Sequence, residues 1–143
     1  MMNERPKIQY DQLNAGYEFP SASFDLDAAT ISKYLEAVDE PGSLYRQSDN
    51  PQNLTGLVPP MAITTYVMKM LSQELSLPPG AIHITQEIAS QKVVKVGTRI
   101  TCQARVSQIW KRGKFHLLNI DLSVLDQTEE LVQSGKVSFI LPS

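Results

Sequence analysis

The stretch Gly56–Leu75, GLVPPMAITTYVMKMLSQEL, constrains the fold of this chain more than any other. Pro59 and Pro60 close an irregular segment and preset φ for a helix start, where a missing N–H costs least. From Met61 to Leu71 apolar residues fall on almost every side: Met61, Ala62, Ile63, Tyr66, Val67, Met68, Met70 and Leu71. A helix apolar nearly all round is a buried one. Ser72, Gln73 and Glu74 make it too short and too polar to span a membrane. After Pro78-Pro79-Gly80 the hydrophobic period changes, and the chain to Pro142 reads as strands joined by tight turns. One buried helix followed by a long antiparallel sheet predicts an α+β domain whose sheet wraps round that helix.

The strands show period-two alternation. Ile82, Ile84 and Ile88 are expected on one face of the first, opposite His83, Thr85 and Glu87. In the second, Ile100, Cys102, Ala104 and Val106 alternate with Thr101, Gln103, Arg105 and Ser107; in the third, Leu118, Ile120, Leu122 and Val124 alternate with polar residues. Val137, Phe139 and Leu141 mark the fourth. Lys111-Arg112-Gly113-Lys114 is a hairpin turn, with Gly113 free to take positive φ. Upstream, Asp27 can cap a helix in which Ile31, Tyr34, Leu35 and Val38 recur at helical spacing. Residues 39–58 form a long loop rich in turn signals, and residues 1–12 a polar segment, extended or mobile.

With 143 residues the chain is expected to form a single domain, 1–143, with a real core. A formal net charge of −2 gives no electrostatic reason to expect nucleic acid or an anionic membrane as partner. The N-terminus lacks an apolar leader, so the cytoplasm is the expected location. A lone Cys102 excludes an internal disulfide, and two histidines without clustered cysteines argue against a metal site.

Three stretches carry a family resemblance: Tyr34–Arg46 (YLEAVDEPGSLYR), Gly56–Met61 (GLVPPM), and the strand ends VKVGT and LVQSGKVSFILP. In their order and spacing they resemble MaoC-like domains, the hotdog-fold (R)-specific enoyl-thioester hydratases and dehydratases. The resemblance implies an acyl thioester of coenzyme A or acyl carrier protein as ligand, with no cofactor. It implies side-by-side pairing into at least a dimer. It also places Glu40 where catalytic members carry an Asp, and Tyr45 where they carry a His five residues later. Glu could act as a base, but its longer side chain displaces the oxygen; a phenol does not replace an imidazole as a base near neutral pH. At the central helix, Val58-Pro59-Pro60-Met61 stands where catalytic members carry Ala-His-Gly-Met and use the glycine N–H on the thioester carbonyl. Pro60 has no N–H to offer. Pro59, Pro60 and Met61, with Arg46, are the expected ligand-binding residues.

The leading expectation is therefore an acyl-thioester-binding subunit of the N-terminal, non-catalytic type, with little hydratase activity alone. It would form a homodimer, or a heterodimer with a catalytic MaoC-like subunit. The alternatives are an active hydratase or dehydratase using Glu40, a hotdog thioesterase, and a structural dimer without ligand. The thioesterase is disfavoured because no Asp or Glu lies between Asn50 and Gln73.

Overall fold

A computed structural model describes residues 6–38, 45 and 54–142. In chain order the elements are β1 (Ile8–Gln9), a single 3₁₀ turn (Tyr10–Gln12), β2 (Ala22–Asp25), α1 (Ala28–Ala37), α2 (Pro60–Glu74), β3 (Leu75–Ser76), β4 (Ile82–Ser90), β5 (Arg99–Arg112), β6 (Phe115–Leu125) and β7 (Leu131–Pro142). β1 and β3 make a small parallel pair, Ile8 opposite Leu75. The other strands form one antiparallel sheet in the order β2-β5-β6-β7-β4.

Local chemistry sets the helix starts. Asp27 caps α1 by accepting from the Thr30 N–H at 2.8 Å. The same bonds hold its carboxyl below its ordinary pKa. α2 has no side-chain cap; Pro59 and Pro60 preset its φ instead. Its apolar side packs on β5 and β6. Ile63, Val67, Met70 and Leu71 are each at most 2% exposed, against the core face that carries Ile100, Cys102, Val106, Leu118 and Ile120. Full burial of each such side chain contributes about 1.5–3 kcal/mol. The expectation of a wholly buried helix is corrected at its start: Met61 is 55% exposed, and Met68 is only half-buried.

The alternation holds on β5 as far as Val106. A bulge there re-phases the strand, so that Ile109 pairs with Leu118 on the core side. A second bulge corrects the expected face of β4. The register shifts between His83 and Thr85, so Ile82 pairs with Ile140 while Ile88 pairs with Gly135. Ile82 therefore lies on the outer face with Glu87, and Ile88 on the inner face with His83, whose ring stands 5.1 Å from Phe139. Gly135 lets β4 approach closely: a Cβ there would meet the Glu87 carbonyl oxygen at 2.5 Å and Ile88 Cδ1 at 2.8 Å.

Among the described residues β4 is the long free edge of the sheet, and eight of its nine residues are exposed, Ile82 and Ile84 among them. The loop after it is fastened by Lys92, which donates to Asp126 at 2.5 Å and Glu130 at 2.6 Å in the β6–β7 turn. Asp126 also accepts from the Thr128 N–H and hydroxyl and from the Glu130 N–H. Lys92 and these donors hold its carboxyl well below the usual carboxylate range.

Candidate functional site at the start of the central helix

Of the expected ligand-binding residues, Pro59, Pro60 and Met61 open α2. Two strand-like contacts bring the chain there: Leu57 bridges to Lys95, and the Val58 N–H donates to the Val94 carbonyl at 3.1 Å. Val58 and Pro59 are buried, while Pro60 and Met61 are exposed. The Ala62 N–H already donates to the Pro59 carbonyl at 3.0 Å. Pro60 has no N–H, so Met61 offers the first free N–H of the helix, with no acceptor among the described residues. The helix dipole makes that position mildly electropositive.

Behind this turn lies a buried polar triangle. Gln133 on β7 donates its amide to the Pro60 carbonyl at 2.7 Å and accepts from the Thr64 hydroxyl at 3.2 Å. The same hydroxyl approaches the Pro60 carbonyl at 3.3 Å. Gln133 and Thr64 are each 2% exposed. Sequence reasoning missed both, although a signal exists: counting back in twos from Leu141, Phe139 and Val137 places polar Gln133 on the core-facing parity. A buried amide is retained only with partners, and here the partners are on the helix.

Tyr45 is half-buried against the core, and its carbonyl accepts from the Thr55 N–H at 3.0 Å, tying it to the segment that leads into α2. Glu40 and Arg46 lie outside the described residues. No histidine lies at this site. His83 pairs with Phe139, roughly 20 Å along β7 from Gln133, and His116 sits at the opposite end of β6. The arrangement can hold a carbonyl oxygen at the Met61 N–H beside an exposed thioether side chain. The described residues bring no general base to it. Among them no cluster of His, Cys, Asp and Glu could hold a metal ion, and no helix is long and apolar enough to cross a membrane.

Residues 14–134 match the family described as FAS1-like, dehydratase domain region. Among solved structures, the chain is similar to the (R)-hydratase from A. caviae involved in PHA biosynthesis, at 19% identity and TM-score 0.71, covering 92% of this chain and 98% of that one. It is similar to the MaoC-like dehydratase from Rhodospirillum rubrum at 17% identity and TM-score 0.71, covering 93% and 95%. It is also similar to a chain of the ChsH1-ChsH2 complex from Mycobacterium tuberculosis at 12% identity and TM-score 0.70, covering 90% and 98%. At these identities the likeness shows a shared hotdog fold. No curated protein matches the chain in sequence.

Proposed function

The chain belongs to the FAS1-like dehydratase-region family, and from that premise we propose that it is an acyl-thioester-binding hotdog subunit, with little or no hydratase activity alone, that partners a catalytic MaoC-like chain. The observation that carries this reading is the opening of α2. Pro60 withholds an N–H, Met61 presents one a residue later, and no imidazole stands near. A thioester carbonyl can be bound there, but water is not activated by the described residues. Losing an oxyanion donor raises a barrier by about 2.7–4 kcal/mol; losing the base as well removes the proton transfer that hydration requires.

The partner attaches through β4. A long, exposed edge strand offers unpaired N–H and C=O groups to another chain. Pairing there continues the sheet and closes the acyl site between protomers. A homodimer would hold two binding sites without the imidazole; a heterodimer with a chain that keeps Asp and His would hold one working site. A similar fold occurs in the two-component complex from Mycobacterium tuberculosis, which supports a partner subunit.

Calorimetric titration with a short 2-enoyl-CoA tests the binding, and native mass spectrometry tests the assembly. The expected result is saturable binding, weakened by Met61→Pro, which removes the free N–H at the second helical position. Alone the protein should be a homodimer that exchanges into a heterodimer with a catalytic MaoC-like chain. A strictly monomeric protein at micromolar concentration would overturn the assembly. Absence of binding by both homodimer and heterodimer would overturn the acyl-thioester reading.

A further inference from the structure

The β5–β6 hairpin ends the sheet, and its two sides differ. The inner side is covered by the N-terminal turn: Tyr10 and Leu13 stand with Ile109 and His116 around a pocket of about 220 Å³, and the Tyr10 hydroxyl donates to the Pro142 carbonyl at 3.5 Å. The outer side, away from core Leu118 and Leu141, is open. There Trp110 pairs with Leu117, Leu117 with Ile140, and Ile140 with Ile82, so one apolar row crosses β5, β6, β7 and β4. Phe115 and Pro142 pair on the same face and extend it to the ends of the strands. Trp110, Phe115 and Ile82 are 41%, 55% and 57% exposed. The neighbouring row, Gln108, Asn119, Ser138 and Thr85, is polar throughout. Its side chains satisfy one another, Asn119 donating to Gln108 at 3.0 Å and accepting from Ser138 at 2.6 Å. The outer face therefore changes from polar to apolar within one row, roughly 7 Å along the strands.

The same corner is positively charged. Arg112 pairs with Phe115 on the outer face, Lys114 stands in the turn, and Lys111 precedes it. All three cations are exposed, and none has an ion-pair partner among the described residues. No Asp or Glu occurs from Ile88 to Ile120, and Asp11, an acid beside the hairpin, lines the inner pocket instead. The net charge of −2 averages over the whole chain and conceals this pole. The apolar strip measures roughly 14 Å by 7 Å from Cα to Cα, on the order of 300 Å² with its side chains. A stable protein interface buries about 800 Å² on each partner, so this strip does not hold a second copy by itself. A lipid surface needs less: a few aromatic and aliphatic side chains at headgroup depth, with cations beside them for acidic headgroups.

We propose that this corner of the sheet anchors the protein to an anionic phospholipid surface, with Trp110, Phe115 and Ile82 entering the headgroup region and Arg112, Lys114 and Lys111 holding the acidic headgroups. Tryptophan favours that depth because its ring is apolar and its N–H is polar. The strip is one row deep before the polar row begins, which fits the roughly 5–10 Å to which interfacial elements sink. The Gln108–Asn119–Ser138 row then stays in water. Phosphate oxygens accept charge-assisted hydrogen bonds from the hairpin. The anchor lies on the surface and spans nothing. It does not rest on the acyl-binding reading: α2 takes no part in it, and pairing at β4 uses backbone groups, leaving the outer face of Ile82 free.

Trp110 is the only tryptophan in the chain, so its fluorescence reports on this corner directly. The test titrates the full chain with vesicles of phosphatidylserine and phosphatidylcholine in equal parts, with vesicles of phosphatidylcholine alone, and with polyglutamate. The mixed vesicles should shift the emission to the blue in a saturable way, and added salt should reverse the shift. Binding to phosphatidylcholine alone should be at least about tenfold weaker, since each cation near an anionic surface contributes about fivefold. A combined Arg112→Gln and Lys114→Gln variant should lose about tenfold or more in affinity for the mixed vesicles. Phe115→Ser, on an exposed position that keeps the reporter, should weaken binding several-fold. Emission that stays fixed at saturating mixed vesicles would overturn the proposal. So would equal binding to both kinds of vesicle, or an affinity unchanged in the double variant. An emission shift with protein concentration in the absence of lipid would assign the corner to a second copy, and an equal shift with polyglutamate would assign it to an acidic protein; either result overturns the lipid anchor.

Discussion

Replacing Thr64 and Gln133, singly and together, probes the triangle behind the start of α2. Thr64→Val keeps the shape and removes a hydroxyl. It leaves Gln133 Oε1, in a side chain 2% exposed, without its one donor among the described residues. An orphaned buried acceptor costs about 1–3 kcal/mol. Gln133→Leu removes the 2.7 Å bond to the Pro60 carbonyl, but that carbonyl keeps its helical donor and the Thr64 hydroxyl, so nothing is orphaned. Its expected cost is about 1–2 kcal/mol, two modest hydrogen bonds partly offset by apolar burial. The double variant should cost less than the two singles added, because the acceptor that Thr64→Val strands is no longer present. The coupling should be about 1 kcal/mol or more. Urea denaturation at one fixed protein concentration measures all four proteins, the fixed concentration being needed if the chain dimerises. Additive effects within 0.3 kcal/mol, roughly the limit for independent sites, would refute the triangle.

Other outcomes follow from the same structure. Leu71→Ala should cost about 2–5 kcal/mol in the same assay, since Leu71 is 2% exposed between α2 and the sheet; a loss below half of one kcal/mol, roughly a surface effect, would contradict the wrapped helix. Gly135→Ala should force β4 away from β7, because the new Cβ meets backbone at 2.5 Å; amide exchange at Glu87–Ser90 should accelerate ahead of the rest of the sheet. Asp126 has a depressed carboxyl pKa in the folded chain, so its contribution is present above the ordinary carboxylate pKa and is lost as pH falls below it. Asp126→Asn should therefore flatten the acid limb of the stability profile, and an unchanged limb would contradict the Lys92 clamp. Burial pushes the Cys102 thiol up to about 12, so at pH 8 an alkylating reagent should modify it only as fast as the chain opens.

The sequence makes the sheet legible because its strands are half-buried and their alternation is a direct image of the two faces. Ile100, Cys102, Ala104 and Val106 lie where that pattern puts them. The pattern misleads on β4, where isoleucines at even spacing are split across both faces by the bulge at Ile84. Nothing in the local composition marks that bulge; the close approach of Gly135 on another strand accompanies it. The pairing of Ile8 with Leu75 is equally hidden, since a two-residue parallel contact leaves no periodicity to read. At the candidate site, Pro59 and Pro60 announce the helix start through backbone chemistry alone. Met61 reads as core filler because its neighbours are apolar, yet it stands on the same side of α2 as Thr65 and Ser72, the side that is exposed. Gln133 is legible only by parity, as a polar residue on a core face. The pocket beside His116 is not legible, because its two walls come from segments far apart in the chain.

The central claim is that this chain binds an acyl thioester without turning it over by itself. The most direct measurement is the hydration rate of a short 2-enoyl-CoA by the purified protein alone, by a catalytic MaoC-like chain alone, and by their mixture. The account predicts no measurable turnover by this chain alone, and no gain from Tyr45→His, because Pro60 still lacks the N–H. It predicts an altered rate or chain-length preference in the mixture. Robust turnover by the isolated chain, abolished by Glu40→Gln, would contradict it.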